Sequence, residues 1–288
     1  MPIASRSSFE VRRGGNLSSK LSKQLVHLAP ILSSLAIGLL CAYILQISSF
    51  PSVSVAPFQE GVGSLGNAIY FVILVGVGAT LIFILLRRNN IRLIVFITGF
   101  ALTAAAFMLS FVYLLAALSF LSSPYLDISI LVAAMALTVL IDIAIFRTHR
   151  MANLAILAIG GALGTFLGNA IQTESTVLIL SFLAVYDVFA VYRGPVGKIA
   201  RSGLEQFRGL SISFKDIEMG LGDLTFYSML AGHMFLYSSW LASLASVIGI
   251  LGGVLLTFRL LEKRGVFPGL PLPIFLGLAA SFLVVFAT

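Results

Sequence analysis

Two aspartates lie within long apolar stretches of this sequence, where an ionisable side chain is costly and usually functional. Asp187, in SFLAVYDVFAVYRG, is twelve residues into its apolar run, and the next charged residue is Arg193. Helix capping cannot explain that position, which leaves a hydrogen bond to a neighbouring helix as the structural alternative. Asp223, in GLGDLTF, begins the next run and taken alone fits an N-terminal capping acid favoured by the helix dipole. Together the two acids indicate a functional pair.

Two carboxylates that share one site support acid and base catalysis. Both cannot ionise cheaply, so one keeps a proton while the other is a base. The charged member takes a proton from water, and the neutral member donates a hydrogen bond to a scissile carbonyl as the tetrahedral intermediate forms. Such a pair meets the requirement for aspartyl proteolysis. Gly220 and Gly222 give the approach to Asp223 a flexible backbone of little bulk.

The histidines and the cysteine favour no metal centre. His27 and His149 fall in the leader and in a loop, His233 alone is intramembrane, and no HExxH motif occurs. The single Cys41 allows neither an intrachain disulfide nor a cysteine cluster, and no G-x-S-G nucleophile for serine proteolysis is present. His233 is ten residues past Asp223, so we interpret it as a packed or hydrogen-bonded core histidine. We predict neither a metal nor a cofactor.

Two further features have structural interpretations. Asp142 lies five residues before Arg147, close enough to the cytoplasmic interface to reach water or a basic neighbour. Glycines at four-residue spacing let a neighbouring helix backbone approach closely, and we expect such packing at Gly160, Gly164 and Gly168.

Composition places these residues in a membrane protein with many spans. Of the 288 residues, 59% are hydrophobic and 10% are charged, far outside the usual composition of a soluble domain. A transmembrane helix needs ~20 mostly apolar residues. Nine runs qualify, which predicts an all-α polytopic fold with spans at 28–47, 68–86, 93–121, 128–146, 151–171, 175–193, 220–238, 239–258 and 268–288.

The basic residues test this count, because cytoplasmic loops carry an excess of Lys and Arg. If nine helices cross the membrane in alternating directions, all eighteen Lys and Arg residues fall on the same side of it. The last three, Arg259, Lys263 and Arg264, follow the eighth helix. We therefore predict a cell-membrane protein with a cytoplasmic N-terminus and an extracytoplasmic C-terminus. The net charge of +7 is explained as a topology signal, so we expect no nucleic-acid partner.

The organisation we predict is one membrane domain in four parts. A basic cytoplasmic leader covers 1–27, and a block of six helices covers 28–193. A cytoplasmic loop at 194–219 then precedes a block of three helices at 220–288. In this arrangement Asp187 and Asp223 lie on consecutive, oppositely directed helices, at similar depth near the cytoplasmic side.

Three motifs resemble those of the presenilin and signal peptide peptidase superfamily of intramembrane aspartyl proteases. They are YD in the sixth run, GLGD at the start of the seventh and PGLP before the last, and YDVFAVYRGP is similar to the presenilin version of the first. The family's third motif is Pro-Ala-Leu-Pro, so Gly269 stands here in place of Ala. The resemblance implies that Asp187 and Asp223 are the catalytic pair. It also implies a substrate-binding role for Gly222, Pro268, Gly269, Leu270 and Pro271.

The same resemblance implies a presenilin-like arrangement of nine helices that hydrolyses bonds within single-span membrane proteins in the bilayer. Prolines at 268, 271 and 273 predict an irregular start of the last helix, with backbone groups free to shape the site. The loop at 194–219 is short, so activation by self-cleavage is not expected. The compact chain resembles the archaeal homologues, which implies that accessory subunits are not required. The oligomeric state, including a homo-oligomer, stays open.

Two other functions compete with proteolysis. A proton- or cation-coupled transporter also places acids in the membrane. Against it, the sequence has no paired repeat, and both acids lie near one face instead of the midplane. A non-catalytic membrane chaperone stays open on sequence alone.

Overall fold

Each predicted span corresponds to an α-helix in the part of the chain that the structure describes. This computed structural model describes residues 28–48, 54–88, 90–120, 126–147, 149–192, 211–214, 217–264 and 267–287. The helices are α1 (Leu28–Ile47), α2 (Ser64–Arg87), α3 (Ile91–Ala117), α4 (Leu126–Arg147), α5 (His149–Ala170), α6 (Thr173–Tyr192), α7 (Leu221–Tyr237), α8 (Trp240–Arg264) and α9 (Pro271–Ala287). The predicted leader at 1–27 lies outside the described residues.

Seven of these nine helices are long and apolar enough to cross a bilayer. The other two, α7 and α9, have 17 residues each. Helix α9 is strongly apolar, whereas α7 carries polar side chains along its length. Most of α7 is buried by its neighbours, including every residue from Tyr227 to Met234. Because α7 faces protein instead of lipid, it tolerates polar residues that an exposed span would not.

The end of α8 differs most from its predicted bound. The helix continues to Arg264, six residues beyond the predicted end at 258. The prediction that Arg259, Lys263 and Arg264 follow the helix is therefore wrong, because all three lie in its last turns. Hydrophobicity identifies only the part of a helix that lies in lipid. The helix can continue beyond that part, because Leu, Glu, Lys and Arg are all good helix formers.

A two-stranded antiparallel hairpin precedes α7, within the segment predicted as a loop. Strand β1 (Ser211–Phe214) pairs with β2 (Ile217–Gly220), with Ser211 opposite Gly220 and Phe214 opposite Ile217. The fold is thus nearly all-helical instead of strictly all-α. Strand β2 ends where α7 begins, so the backbone changes from extended to helical three residues before Asp223. The rest of the loop, 194–210 with 215 and 216, lies outside the described residues.

The glycine stripe of α5 packs against α7, as predicted. A Cβ on Gly164 would overlap the Thr225 carbonyl oxygen, and a Cβ on Gly168 would lie 2.7 Å from the Met229 carbonyl oxygen. At Gly160 the nearest atom, Leu224 Cβ, would be 3.1 Å away. The absence of side chains at these positions therefore lets the two backbones approach closely.

A second set of glycines, which the sequence analysis did not identify, joins α8 to α9. A Cβ on Gly249 would overlap the Leu276 carbonyl oxygen, and one on Gly253 would overlap Pro273. From the opposite side, a Cβ on Gly277 would lie 2.8 Å from side-chain atoms of Ile250. This packing fixes the start of α9 relative to α8.

A buried polar cluster joins α2 to α6 at the ends where these helices begin. The Asn67 side chain is fully buried, and its Nδ2 donates to the Phe58 carbonyl and to Ser175 Oγ, both at 2.9 Å. Its Oδ1 accepts a hydrogen bond from the Phe58 N–H at 2.9 Å. Beside it, Ser64 Oγ donates to Glu174 Oε2 at 3.1 Å. These bonds tie α2 and the segment before it to the first turn of α6.

Candidate active site

Asp187 lies near the C-terminal end of α6. It is five residues before the last helical residue, Tyr192, and so about 7.5 Å from that end at ~1.5 Å per residue. The side chain is half-buried. Its Oδ2 accepts a hydrogen bond of 3.0 Å from the backbone N–H of Leu270. The structural alternative for this residue, a bond to a neighbouring segment, is thus present, and the partner belongs to the PGLP motif.

Asp223 is the third residue of α7 and is also half-buried. The helix is preceded by Gly220 in extended conformation, so Asp223 lies in the first turn, where the helix dipole favours an acid. Its carboxylate packs against Gly269, because a Cβ there would lie 2.9 Å from Asp223 Oδ2. Glycine at 269 therefore provides the space that the carboxylate occupies.

The two acids meet consecutive residues of one segment. Asp187 bonds to the N–H of Leu270, and Asp223 lies against the α-carbon of Gly269. Three elements that are far apart in sequence, the end of α6, the start of α7 and the segment before α9, thus converge on the Gly269–Leu270 peptide. This arrangement brings two carboxylates to one site.

The first three residues of the PGLP motif form the non-helical lead into α9. Pro268 and Leu270 are buried, and the regular helix begins at Pro271, three residues later than predicted. Proline suits the first turn of a helix, where an N–H has no intrahelical partner. The first helical bond runs from the Ile274 N–H to the Leu270 carbonyl at 3.0 Å. The prediction of an irregular helix start is therefore wrong for Pro271 onwards, and the irregular backbone is confined to the residues before it.

Tyr227 is a site residue that the sequence analysis missed. It is one helical turn after Asp223 and only 2% exposed. Its hydroxyl donates a hydrogen bond of 2.9 Å to the Gly269 carbonyl. Its position four residues after Asp223, on the same face of α7, was the signal that could have identified it.

Gly222 and Pro271 flank the carboxylates. Gly222 is exposed at the second position of α7, and a Cβ there would lie 3.8 Å from the Phe226 ring. Pro271 is half-buried at the first position of α9. Of the residues predicted to bind substrate, Gly269 and Leu270 contact the two acids directly.

The other intramembrane ionisable residues have structural partners away from this site. Thr103 Oγ1 on α3 donates to Asp142 Oδ2 on α4 at 3.0 Å, which joins those two helices. His233 is fully buried, and its Nδ1 is 2.7 Å from the Gly168 carbonyl, so Nδ1 carries the proton and donates. Its Nε2 is 3.1 Å from Thr173 Oγ1. The interpretation of His233 as a hydrogen-bonded core histidine is confirmed. Asp142 has a structural partner, but this is Thr103 and not the basic neighbour that the sequence analysis expected.

In the described ranges, no three His, Cys, Asp or Glu side chains lie close enough together to hold a metal ion. The carboxylates of Asp187 and Asp223 have backbone groups as their neighbours instead.

An open apolar groove runs between α2 and α6. Its volume is about 660 Å³. Most of its wall comes from α2, between Ile73 and Leu85, and α6 contributes Tyr186 and Phe189, which flank Asp187 in sequence. Apart from Thr80 and Tyr186, the lining side chains are apolar.

Comparison with known proteins finds similarity to the presenilins in sequence and in fold. Residues 200–288 match the sequence model of the presenilin family. The presenilin homolog of Drosophila melanogaster is 41% identical over 69 residues, which cover 24% of this chain and 13% of that protein. Two solved structures of a presenilin-family intramembrane aspartate protease, in different space groups, have TM-scores of 0.65 and 0.63. Each covers 90% of this chain, and the chain covers 98% and 95% of theirs at 20% and 22% identity. The chain is similar to the presenilins.

The presenilin likeness has two parts that cover different residues. The sequence match includes Asp223 and the PGLP motif, whereas Asp187 lies before it. The fold is similar over 90% of the chain, and the C-terminal third is also similar in sequence to the presenilin family. The matched segment spans about an eighth of the fly presenilin homolog, 13% of its length.

Proposed function

We propose that this protein is an intramembrane aspartyl endopeptidase that hydrolyses peptide bonds within the transmembrane helices of other membrane proteins. The observation that supports it best is the contact of Asp187 and Asp223 with consecutive residues, Leu270 and Gly269, of one segment. Asp187 lies near the C-terminal end of its helix and Asp223 in the first turn of the next, and both side chains are half-buried. Asp142 instead accepts a hydrogen bond from Thr103.

The proposed reaction uses the two carboxylates in different protonation states. The ionised acid takes a proton from a water molecule, whose oxygen bonds to the scissile carbonyl carbon. The protonated acid donates a hydrogen bond to the carbonyl oxygen and stabilises the charge that develops there. Proton transfer to the amide nitrogen then allows the C–N bond to break. The products are a new carboxyl group and a new amine, and the pair returns to one shared proton.

The proposed substrate is a transmembrane helix that approaches through the groove between α2 and α6. Burial of apolar side chains in that groove would place the helix beside Asp187. A helix hides its carbonyls behind its own hydrogen bonds, so a short stretch must unwind before water can attack. Such a substrate is a single-span membrane protein, and the bilayer holds both proteins in the plane where they meet.

The proposed orientation has the N-terminus in the cytoplasm and the C-terminus outside, and the alternation of basic residues supports it. Asp187 and Asp223 then lie near the cytoplasmic face, and the cut falls near the cytoplasmic end of the substrate. We expect preference for substrates whose N-terminus is outside the cell. Activity without accessory subunits is part of the same proposal.

Cleavage by the purified full chain tests this function. A fluorogenic single-span peptide is reconstituted with the protein in detergent, and cleavage is followed with and without a transition-state analogue of aspartyl proteases. Asp187→Asn and Asp223→Asn should each abolish turnover, whereas Asp142→Asn, which keeps an acceptor for Thr103, should retain it. Substantial turnover by either of the first two variants would overturn the assignment of the pair.

A further inference from the structure

Tyr227 is buried beside the proposed catalytic pair, and its hydroxyl has no part in the reaction outlined above. The hydroxyl donates to the Gly269 carbonyl at 2.9 Å, and the side chain is 2% exposed. A buried tyrosine usually needs one polar partner for its hydroxyl, and here that partner is a backbone group of the site itself.

The carbonyl of Gly269 and the N–H of Leu270 belong to the same peptide unit. That unit is planar, so its C=O and N–H point in opposite directions along one plane. On one side the carbonyl accepts from Tyr227, and on the other the N–H donates to Asp187 Oδ2 at 3.0 Å. A bond that fixes the carbonyl therefore also fixes the direction of the N–H. It also polarises the peptide and makes the N–H a stronger donor.

We propose that Tyr227 is a positioning residue that orients the Asp187 carboxylate through the Gly269–Leu270 peptide. This inference rests on the proposed function and adds a residue to its machinery. Tyr227 does not act on the reacting atoms, because its hydroxyl is engaged by the carbonyl. Its effect on Asp187 passes through a single peptide plane.

Tyr227 lies on the same helix as Asp223, so α7 can influence both acids. Residues four apart lie on one face of a helix, so α7 presents Asp223 and Tyr227 together. Helix α7 thus supplies one carboxylate directly and holds the other through the peptide. Close packing of α7 against the α5 glycine stripe keeps this helix in place. The relative position of the two acids then depends on α7 as well as on α6 and the lead into α9.

The test is Tyr227→Phe in the full-length protein, which removes one oxygen atom and little volume. We expect kcat to fall about tenfold or more, as small misplacements of a catalytic group produce, with KM nearly unchanged. The pH of maximal activity should also move, because the environment of Asp187 changes. Tyr113→Phe is the matched control, since the Tyr113 hydroxyl also donates to a backbone carbonyl, that of Ala162, at 2.7 Å. The control should match the wild type in kcat and in pH profile.

A double-mutant cycle distinguishes positioning from general stabilisation. Leu270→Pro removes the N–H that bonds to Asp187. If Tyr227 acts through that peptide, the variant with both substitutions should be no slower than Leu270→Pro alone. Multiplicative losses of kcat, or an effect of Tyr227→Phe on KM alone, would overturn the proposal.

Two outcomes separate this inference from the proposed function. If Asp187→Asn keeps its turnover, the proposed function fails and the role of Tyr227 fails with it. If Asp187→Asn and Asp223→Asn are inactive while Tyr227→Phe has wild-type kcat and pH profile, only the role of Tyr227 is overturned. Should Tyr227→Phe unfold, 3-fluorotyrosine at this position keeps the hydroxyl and changes its donor strength. An unchanged kcat in that protein would count against the proposal, and a changed kcat would support it.

Discussion

The backbone N–H of Leu270 donates a 3.0 Å hydrogen bond to Asp187 Oδ2, although the two residues are 83 positions apart in sequence. This bond joins the end of α6 to the lead into α9. Because Asp223 packs against Gly269, the adjacent residue, one short segment contacts both acids. The predictions below follow from that geometry and from the helices that support it.

The first prediction concerns the two acids as a unit. Asp187→Asn and Asp223→Asn should each lower kcat by at least about a thousandfold, and the double variant should be no worse than either one, since residues that act together are strongly non-additive. The wild-type pH–rate profile should be bell-shaped, because one acid must be ionised while the other is protonated. Its two limbs belong to the pair and not to single residues. A profile with one limb only would contradict the shared-proton mechanism.

The second prediction concerns the space at Gly269. In Gly269→Ala the new Cβ would lie 2.9 Å from Asp223 Oδ2, closer than carbon and oxygen atoms pack, so the carboxylate must turn away. We expect kcat to fall about three- to tenfold with an unchanged melting temperature, since a displaced catalytic group costs rate more than stability. Alanine is also the residue of the related Pro-Ala-Leu-Pro motif, which makes this a strict test of the geometry here.

Gly220→Ala is the control for that experiment. A Cβ at 220 would lie 3.9 Å from Asp223 Oδ2, an ordinary contact, and the extended backbone there suits alanine. Its kcat should remain within about twofold of the wild type, since no catalytic group is displaced. Equal effects of the two substitutions would show that the contact at Gly269 does not position Asp223.

The third prediction concerns the buried tie between α2 and α6. Asn67→Leu leaves the Phe58 backbone groups and Ser175 Oγ without their partner, which should cost at least about 1–3 kcal/mol of stability. The apolar groove lies further along the same two helices, so loosening the tie should raise KM more than it lowers kcat. Steady-state kinetics and thermal unfolding in detergent measure both effects.

Thr98→Val serves as the comparison for Asn67→Leu. The Thr98 hydroxyl donates to Ile94 and Val95, within its own helix, so its loss should leave both stability and KM close to the wild type. If Asn67→Leu lowers stability and leaves KM unchanged, the tie does not control the groove.

The fourth prediction concerns the glycine stripe of α5. Gly164→Ala should destabilise the protein by about 1–3 kcal/mol, because its Cβ would overlap the Thr225 carbonyl oxygen of α7. Gly78→Ala on α2 has nothing within 4 Å of the new Cβ, so the better helix former should be neutral or stabilising. Thermal unfolding of both variants in the same detergent checks the difference, and equal melting temperatures would refute close packing at Gly164.

The fifth prediction concerns orientation and rests on the basic residues. A tag at the N-terminus should be protected from external protease in intact cells, and a tag at the C-terminus should be digested. Digestion of the N-terminal tag would reverse the proposed orientation, and with it the expected preference for substrates whose N-terminus is outside.

Sequence alone determined the features that depend on local composition. Apolar runs predict the nine helices because a span needs enough hydrophobic length, and the glycine spacing predicts where α5 approaches a neighbour. Asp187 and Asp223 stood out because a charge in an apolar run is costly. The predicted end of α8 was wrong. The prediction followed the apolar residues, which suit lipid, whereas the residues after them are good helix formers and the helix continues through Arg264.

Tertiary structure decided which groups meet. Nothing in the spacing of α6, α7 and α9 specifies that both acids contact one short segment, Gly269–Leu270, because contacts between distant segments depend on how whole helices pack. Burial of α7 explains how it carries polar residues, and that burial comes from its neighbours. Tyr227 had no distinguishing local signal beyond its spacing from Asp223, and its hydroxyl acquires a partner only when the lead into α9 folds against α7.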